Sequence, residues 1–440
     1  MPIRRAAPLA LQLCPESRYL PLVQGLVENA ATLHGLESGR GALLIAAAAR
    51  VFGLMCDAAP SEARLGVEIA FRPAGLELTM ACDVDPAHFP CFNCLEPGTL
   101  APQSLYAVDR LRVERAKAGA LRVVLVQEKN FPLVTPKETE TPATPEQPFA
   151  LARNIPPDEF EPLLHAASLE AQRLYPLHLL YKPLLQSAKL AAMVRGGETE
   201  TALALDRRGR PVCLLCWERT GASNAIFFGP YVFGLVQREA VGLVATLVVE
   251  EFLNRVARSD IVGVFSGLAT PELPAAYFEQ LGEVPYRLEQ DLVVRIVSWY
   301  RHLREDFGAT VWTQHGLEPF LRQRYDELAF VREFRAVNTA RNETVQAGSS
   351  LFALDVRREL SEAVIRPLEN GGDYSENLDR HLVALAAGGI RNVFFHLDLG
   401  HSWQAALAPL LFGRGFAPVL LLPCAGYSDI LVMQRTTHRP

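Results

Sequence analysis

The chain has 440 residues, 49% of them hydrophobic and 21% charged, with a formal net charge of −6. That length exceeds what one core holds, so two or three domains are expected, and the lack of a Lys/Arg excess excludes the electrostatic footprint of a nucleic-acid binder. No run approaches the roughly 18 to 20 apolar residues of a membrane span, and the opening "MPIRRAAPLALQLC" has too short an apolar part for a secretory leader, being followed by "PESRY" rather than a cleavage site; a cytoplasmic protein with reduced cysteines is expected.

In chain order, "YLPLVQGLVENAATLHGL" and the Ala-rich "GALLIAAAARVFGLMCDAA" read as helices, followed by two alternating runs, "ARLGVEIAF" and "GLELTMAC", separated by the turn "RPAG". Helix, helix, hairpin opens an α/β sandwich. Residues 131–149, "FPLVTPKETETPATPEQPF", lose all apolar period and read as an extended linker. Beyond it come a helix ("PDEFEPLLHAASLEAQRLY"), strands "TALALD", "PVCLLCW" and "NAIFFGPYVF", a polar turn feeding the apolar helix "VQREAVGLVATLVVEEFL", the strand "IVGVFSG" and a helix over "LPAAYFEQLG". Strand, turn, helix, strand places a ligand site at the strand ends. The last third repeats that logic: "SSLFALDV", a helix around "SENLDRHLVALAAGG", the strand "NVFFHLDL", a helix around "HSWQAALAPLLFGRG", and the strands "PVLLLP" and "DILVMQ". It reads as half of the preceding domain used again.

Three polar clusters carry residue types that could do chemistry. Cys82, His88, Cys91 and Cys94 in "CDVDPAHFPCFNC" could make a tetrahedral zinc site, but one turn-borne pair with two irregularly spaced ligands favours chance clustering, and no metal is assigned. Cys213 and Cys216 sit three apart on a strand, point to opposite faces and belong to the core. In "FFHLDLGH", His396 and Asp398 share a strand face with His401 just beyond, which fits hydrogen bonding and capping of the following helix better than a metal or acid/base role. Neither a Gly-x-Ser-x-Gly elbow nor a His-Glu-x-x-His run is present, so serine-hydrolase and zincin chemistry lack support.

The middle region, 150–345, resembles the GNAT superfamily of N-acetyltransferases. There a loop of pattern Gln/Arg-x-x-Gly-x-Gly/Ala, entering a helix, binds the coenzyme A pyrophosphate through backbone N–H groups and the helix N-terminus. "QREAVG" fits it with Gln237 first and Gly242 last, while Ala240 stands where glycine is usual, a methyl group obstructing close approach only mildly. The resemblance implies acetyl-CoA or another acyl-CoA held by Gln237, Arg238, Glu239, Ala240, Val241 and Gly242. For the base that deprotonates an acceptor amine it leaves Glu218, at the end of "CLLCWE", with Cys216 and Tyr231 as lesser candidates. The family's thiolate-protonating tyrosine falls at Phe278, four before Gly282, leaving its neighbour Tyr277 as the catalytic candidate.

Residues 1–130 resemble the GHKL ATPases of the anti-sigma serine-kinase branch, whose N-box reads Leu-x-x-x-Glu-x-x-x-Asn. Laid on "LLIAAAARVFGLMC", the pattern puts Ala47 at the carboxylate and Val51 at the Mg²⁺-binding asparagine, and "CDVDP" keeps Asp83 but has Asp85 at the glycine. No ATP is expected, and an active anti-sigma-type kinase is disfavoured; a helix with small and apolar groups all round suits a buried or partner-facing role. The layout is similar to that of bacterial tandem proteins: an α/β chain with a degenerate GHKL-like sandwich over 1–130, a linker, a GNAT-like mixed-sheet domain over 150–345 and a second, partial GNAT-like unit over 346–440. The expectation is an acyl-CoA-binding, amine-acylating protein whose first domain regulates or docks a protein partner. The alternative is a non-catalytic scaffold in which both sites have decayed, as the losses at Ala47, Val51, Ala240 and Phe278 would have it.

Overall fold

The computed structural model describes residues 8–60, 62–83, 108–115, 120–135, 144–153, 155–221, 223–288, 292–337, 350–357 and 360–436. The first sheet is built from β1 (Leu9–Leu13), β2 (Leu65–Arg72), β3 (Gly75–Cys82), β4 (Arg110–Arg115) and β5 (Leu121–Glu128), with α1 (Leu20–His34) and α2 (Ser38–Ala58) between β1 and β2. Its order is β1-β2-β3-β5-β4, antiparallel throughout. α1 has proline in its first turn and stops at Gly35, whose φ of 75° a glycine tolerates where a β-carbon would be strained. At Gly75 a β-carbon would stand 2.3 Å from the Gln127 carbonyl, so β3 and β5 pair there only because that residue has none. Alternation sends Leu65, Val67 and Ile69 of β2 and Leu76, Leu78 and Met80 of β3 into one core with α1 and α2.

α2 modifies the expectation about membrane spans: its 21 residues are long and apolar enough to cross a bilayer by length and composition, although half of its most apolar window is buried. Ala47 and Val51 lie in that buried stripe with Ala48, Phe52 and Met55.

The second sheet has seven strands: β6 (Ala150–Leu151), β7 (Glu200–Leu205), β8 (Pro211–Thr220), β9 (Asn224–Val232), β10 (Gly263–Ala269), β11 (Glu279–Arg287) and β12 (Val293–His302). Its order is β11-β12-β10-β9-β8-β7-β6, with β9 and β10 the one parallel pair. α3 (Pro157–Leu174) and α4 (Ser187–Gly196) precede β7, and α5 (Arg238–Ala257) crosses from β9 to β10. The two faces have separate cores. Val244, Ala245, Val248, Val249 and Phe252 of α5 pack with Cys213, Trp217 and Phe227 on one; Leu164, Ala167 and Leu190 of α3 and α4 pack with Leu214, Cys216 and Tyr231 on the other. Cys213 and Cys216 thus point to opposite faces. The helix predicted over "LPAAYFEQLG" is absent: Ala275–Tyr277 form a single 3₁₀ turn, and from Glu279 the chain is strand β11, because Leu281, Val284 and Tyr286 serve a sheet-to-sheet interface that a helix here would not reach.

The third part begins with β13 (Ala309–Thr313), α6 (Glu318–Glu327) and β14 (Arg332–Ala336), then β15 (Leu351–Arg357), β16 (Glu362–Glu369), α7 (Tyr374–Ala387), β17 (Asn392–Asp398), α8 (Ser402–Ala405), α9 (Ala408–Gly413), β18 (Phe416–Leu422) and β19 (Ile430–Arg435). The predicted single helix around "HSWQAALAPLLFGRG" is thus two short ones, with Pro409 opening the second. The order β15-β16-β17-β19-β18 and its strand directions repeat those of β8-β9-β10-β12-β11. Likewise β1, two helices, β2 and β3 repeat the course of β6, two helices, β7 and β8. Residues 309–327, placed by sequence with the middle region, share a core with this last sheet through Val311, Leu317, Leu321 and Tyr325. The third sheet packs on the second through Val364, Phe394, Leu420 and Val432 against Phe265, Leu281, Val284 and Tyr286. It meets the first where Arg110 of β4 bonds Asp355 of β15 at 3.2 Å and Leu351 enters the first core.

Candidate functional site

β9 and β10 pair from Asn224–Gly263 to Gly229–Ala269. Beyond that the strands part, and the chain leaves β9 through Phe233 to Val236 into α5, with Val236 almost fully exposed. Gln237 occupies the N-cap position without a side-chain cap, so the first-turn amides of α5 have no side-chain acceptor. Gln237, Arg238, Glu239 and Gly242 are exposed, Ala240 is buried and Val241 half-buried. A β-carbon on Gly242 would meet nothing within 4 Å. The helix dipole favours an anion here and Arg238 adds to it, while Glu239 in the same turn opposes it.

The gap between the parting strands holds side chains. Thr270 donates from Oγ1 to the Pro230 carbonyl at 2.5 Å. The Tyr175 hydroxyl accepts from the Val232 N–H at 2.8 Å and donates to the Val232 carbonyl at 3.2 Å. Burial, above all, pushes that phenol up, with Glu272 adding to the effect, so Tyr175 remains a protonated donor.

Glu218 lies near the end of β8, opposite Ile226 of β9 and on the α3/α4 side of the sheet with Cys216. It accepts a short hydrogen bond from the Tyr181 hydroxyl, and Thr199 Oγ1 stands 2.9 Å from that hydroxyl and 3.3 Å from the Glu218 carboxylate. Tyr181 stacks on Phe228 with ring centroids 4.2 Å apart. Burial first and the Glu218 charge second raise the Tyr181 pKa, which keeps it a donor. Cys216 is buried and its thiol pushed up, chiefly by desolvation, so it supplies no thiolate. Tyr231 is locked by its hydroxyl between the Leu179 carbonyl, at 2.9 Å, and the Tyr181 N–H, at 2.8 Å.

Tyr277 is elsewhere. Its hydroxyl donates to Glu250 at 2.5 Å, and that hydrogen bond raises its pKa. Glu250 lies about 18 Å along α5 from Arg238. Tyr277 packs on the α5 side of the sheet and Glu218 belongs to the other, so the two catalytic candidates are not brought together. Phe278 is core, 5.1 Å from Phe227 between ring centroids. Tyr181, Thr199 and Tyr175, which complete these arrangements, come from helix ends and loops where no sequence period marks them.

Of the polar clusters, His88, Cys91 and Cys94 lie outside the described residues, as does Asp85, and Cys82 is buried. Among the described residues, no group of three or more His, Cys, Asp and Glu is placed to hold a metal. Asp398 accepts from the Gly400 N–H at 2.9 Å, the Tyr427 N–H at 2.6 Å and the Ser428 N–H at 3.2 Å, tying two loops. The expected capping is not made: His401 takes the N-cap position of α8 without a side-chain bond.

No family model matches the chain, and no curated protein does. Solved structures similar to part of it are GNAT acetyltransferases. Aminoglycoside 6'-acetyltransferase type Ii aligns over 36% of this chain and 99% of its own, at 14% identity and a TM-score of 0.27. A GNAT-family acetyltransferase from Staphylococcus aureus Mu50 aligns over 36% of this chain and 100% of its own, at 11% identity and a TM-score of 0.26.

Proposed function

We propose that the β6–β12 region binds acyl-CoA at the N-terminus of α5 and passes its acyl group to an amine. The observation that carries this reading is the end of the β9–β10 pairing at Gly229 and Ala269, beside a helix start without a side-chain cap. The pyrophosphate would sit on residues Gln237 to Gly242, and the thioester arm would enter between the strands. Glu218, whose partner Ile226 is three residues before Gly229 and thus about 10 Å along β9, stands where the far end of that arm would emerge. The amine nitrogen would attack the thioester carbonyl, forming the C–N bond as the C–S bond breaks; coenzyme A would leave as the thiolate, with the bond's electron pair, and the amine proton would go to the Glu218 carboxylate. Tyr181, protonated and already bonded to Glu218, orients that carboxylate. Tyr277, on the other face, has no part in this step. Residues 1–130 serve as a docking or regulatory part for a protein partner and bind no nucleotide, since apolar Ala47 and Val51 are buried in the core.

Calorimetric titration of acetyl-CoA tests the binding. Wild type is expected to bind and Gly242→Glu, which places a charge in open space at the helix start, to lose at least tenfold. A wild type that binds no acetyl-CoA would overturn the reading in favour of a non-catalytic scaffold. One observation favours that second reading: Tyr175 and Thr270 already satisfy the β9 backbone inside the gap. If binding holds, loss of amine acylation in Glu218→Gln with acetyl-CoA affinity unchanged would separate transfer from binding.

A further inference from the structure

A cluster of cations on the joined first and third sheets has no role in the reading above. β4 contributes Arg110 and Arg112, β15 Arg357, β16 Arg366 and β17 His396. Their strand neighbours Leu111 and Val113, Val356, Ile365, and Phe395 and Leu397 fill or line the helix-covered cores, so alternation puts the cations on the opposite face. Arg366 lies opposite Ala353, two residues from Asp355 on β15, and the pairing of Ile365 with Phe395 sets Arg366 beside His396. Arg110 reaches the same place through its bond to Asp355.

The charges on this face do not cancel. Arg110, Arg112, Arg357 and Arg366 are four, against the carboxylates Asp355, Glu77 and Glu362. Arg112 pairs with Glu77 at 3.4 Å and Arg357 with Glu362 at 3.6 Å. Arg366 and His396 make no side-chain hydrogen bond among the described residues, and the one carboxylate that acts on Arg366 is Asp355, which Arg110 already bonds. Arg366 is exposed, so a ligand in solvent can reach its fork of donors. Arg110, Arg357 and Arg112 act against the charge of Arg366 and Asp355 in its favour, while burial and the neighbouring arginines lower the His396 pKa to about 3, which leaves a neutral imidazole next to the guanidinium. Arg366 therefore stands in a cluster with one cation more than its carboxylates, and its planar fork matches two oxygens of one oxyanion.

We propose that Arg366, flanked by Arg110 and His396, binds the carboxylate or phosphate group of a small anionic ligand. This site does not depend on acyl-CoA binding at α5. Titration of the full chain with inorganic phosphate and, separately, with succinate, each at constant ionic strength set by NaCl, tests it and tells the two chemistries apart. At least one anion is expected to bind with a submillimolar Kd, to weaken at least tenfold in Arg366→Gln, and to weaken less in Arg366→Lys, which keeps the charge and loses the fork. Acetyl-CoA affinity is expected to be the same in wild type and Arg366→Gln, so failure here and failure of the acyl-CoA reading are distinguishable. Binding of neither anion, equal binding by Arg366→Gln, or displacement by chloride alone would overturn the proposal. Should Arg366→Gln not fold, Arg366→Lys with unaltered affinity for both anions would overturn it as well.

Discussion

The crossover β9–α5–β10 and the crossover β16–α7–β17 have the same strand order and directions, yet opposite interiors. The inward face of α5 is Val, Ala and Phe. That of α7 buries Asn377 and His381 beside Leu378, Leu382 and Leu385, and both ring nitrogens of His381 and the Tyr374 hydroxyl have no hydrogen-bond partner among the described residues. Neither helix start has a side-chain cap; that of α5 is exposed, whereas at α7 the N-cap residue Asp373 turns its carboxylate to the Ser350 N–H at 2.5 Å and adds negative charge at the end where an anion would sit. Even the gaps are closed by different means, Thr270 bonding the Pro230 carbonyl in one and Gln404 the Pro367 carbonyl, at 3.4 Å, in the other. One topology can therefore keep its helix start free for a ligand or use it for internal bonds; the side chains at that turn decide which.

The largest break in this comparison is expected at the support of the second crossover. Asp429, in the turn before β19, takes bonds from Arg332 Nε at 2.6 Å, the Tyr325 hydroxyl at 2.8 Å and the Cys424 N–H at 2.8 Å. The Arg332 and Asp429 side chains are 0% and 1% exposed. Asp429→Ala leaves a buried guanidinium with only Asp306 to balance it, and a loss of about 3 to 5 kcal/mol follows. Chemical denaturation read by tryptophan fluorescence measures it. A loss below about 1 kcal/mol would mean that the network contributes little to holding the third sheet.

A pH-dependent difference comes next. Burial, and secondarily Arg380, lowers the His381 pKa to about 4. Between that value and the unfolded value near 6.5 the unfolded chain binds a proton that the folded chain does not, so this contribution is fully present above pH 6.5 and is lost as pH falls towards 4, at about 1.4 kcal/mol per unit and about 3 kcal/mol in all. His381→Leu removes both this loss and the unpartnered ring nitrogens, so it is expected to match or exceed wild type at pH 7 and to lose less on acidification. His396, lowered for similar reasons, keeps the variant's profile from being flat. Denaturation midpoints from pH 7 to 4 check this; parallel curves for the two proteins would exclude His381 as a contributor.

The strongly periodic segments were legible. β2 and β3 alternate cleanly around a two-residue turn, and α1, α2 and α5 carry apolar faces their sequences display. What failed was set by tertiary contact. "LPAAYFEQLG" has enough Ala, Leu and Glu to read as helix, but from Glu279 it pairs with β12 and faces the third sheet, and pairing outweighs propensity there. The segment Gln237 to Gly242 was legible as the entry into a helix, because a strand run and an apolar helix frame it, but it is the N-cap and first turn of α5 rather than a loop. Tyr175 in the neighbouring gap was not, since nothing in "RLYPLH" marks a hydroxyl that reaches Val232, 57 residues away. Arg366 was hidden for a related reason: the sequence reading has no strand over Glu362–Glu369, and only the register to Ala353 and Phe395 gathers the other cations around Arg366.

The smallest expected effect bears most directly on the first crossover. Thr270→Val is close to isosteric and removes one buried hydrogen bond, leaving the Pro230 carbonyl without that donor, so a cost of about 1 kcal/mol is expected. A clasp that competes with a ligand for the gap predicts more than this stability change: acetyl-CoA should bind Thr270→Val at least as tightly as wild type, because the carbonyl is freed. Gln404→Leu, at the matching position of the second crossover, should leave acetyl-CoA affinity unchanged while also lowering stability, since Gln404 additionally accepts from the Asp398 N–H at 2.8 Å. Weaker acetyl-CoA binding by Thr270→Val would instead make the threonine part of the frame that holds the gap's shape, and the proposed path of the thioester arm would then have to avoid Pro230.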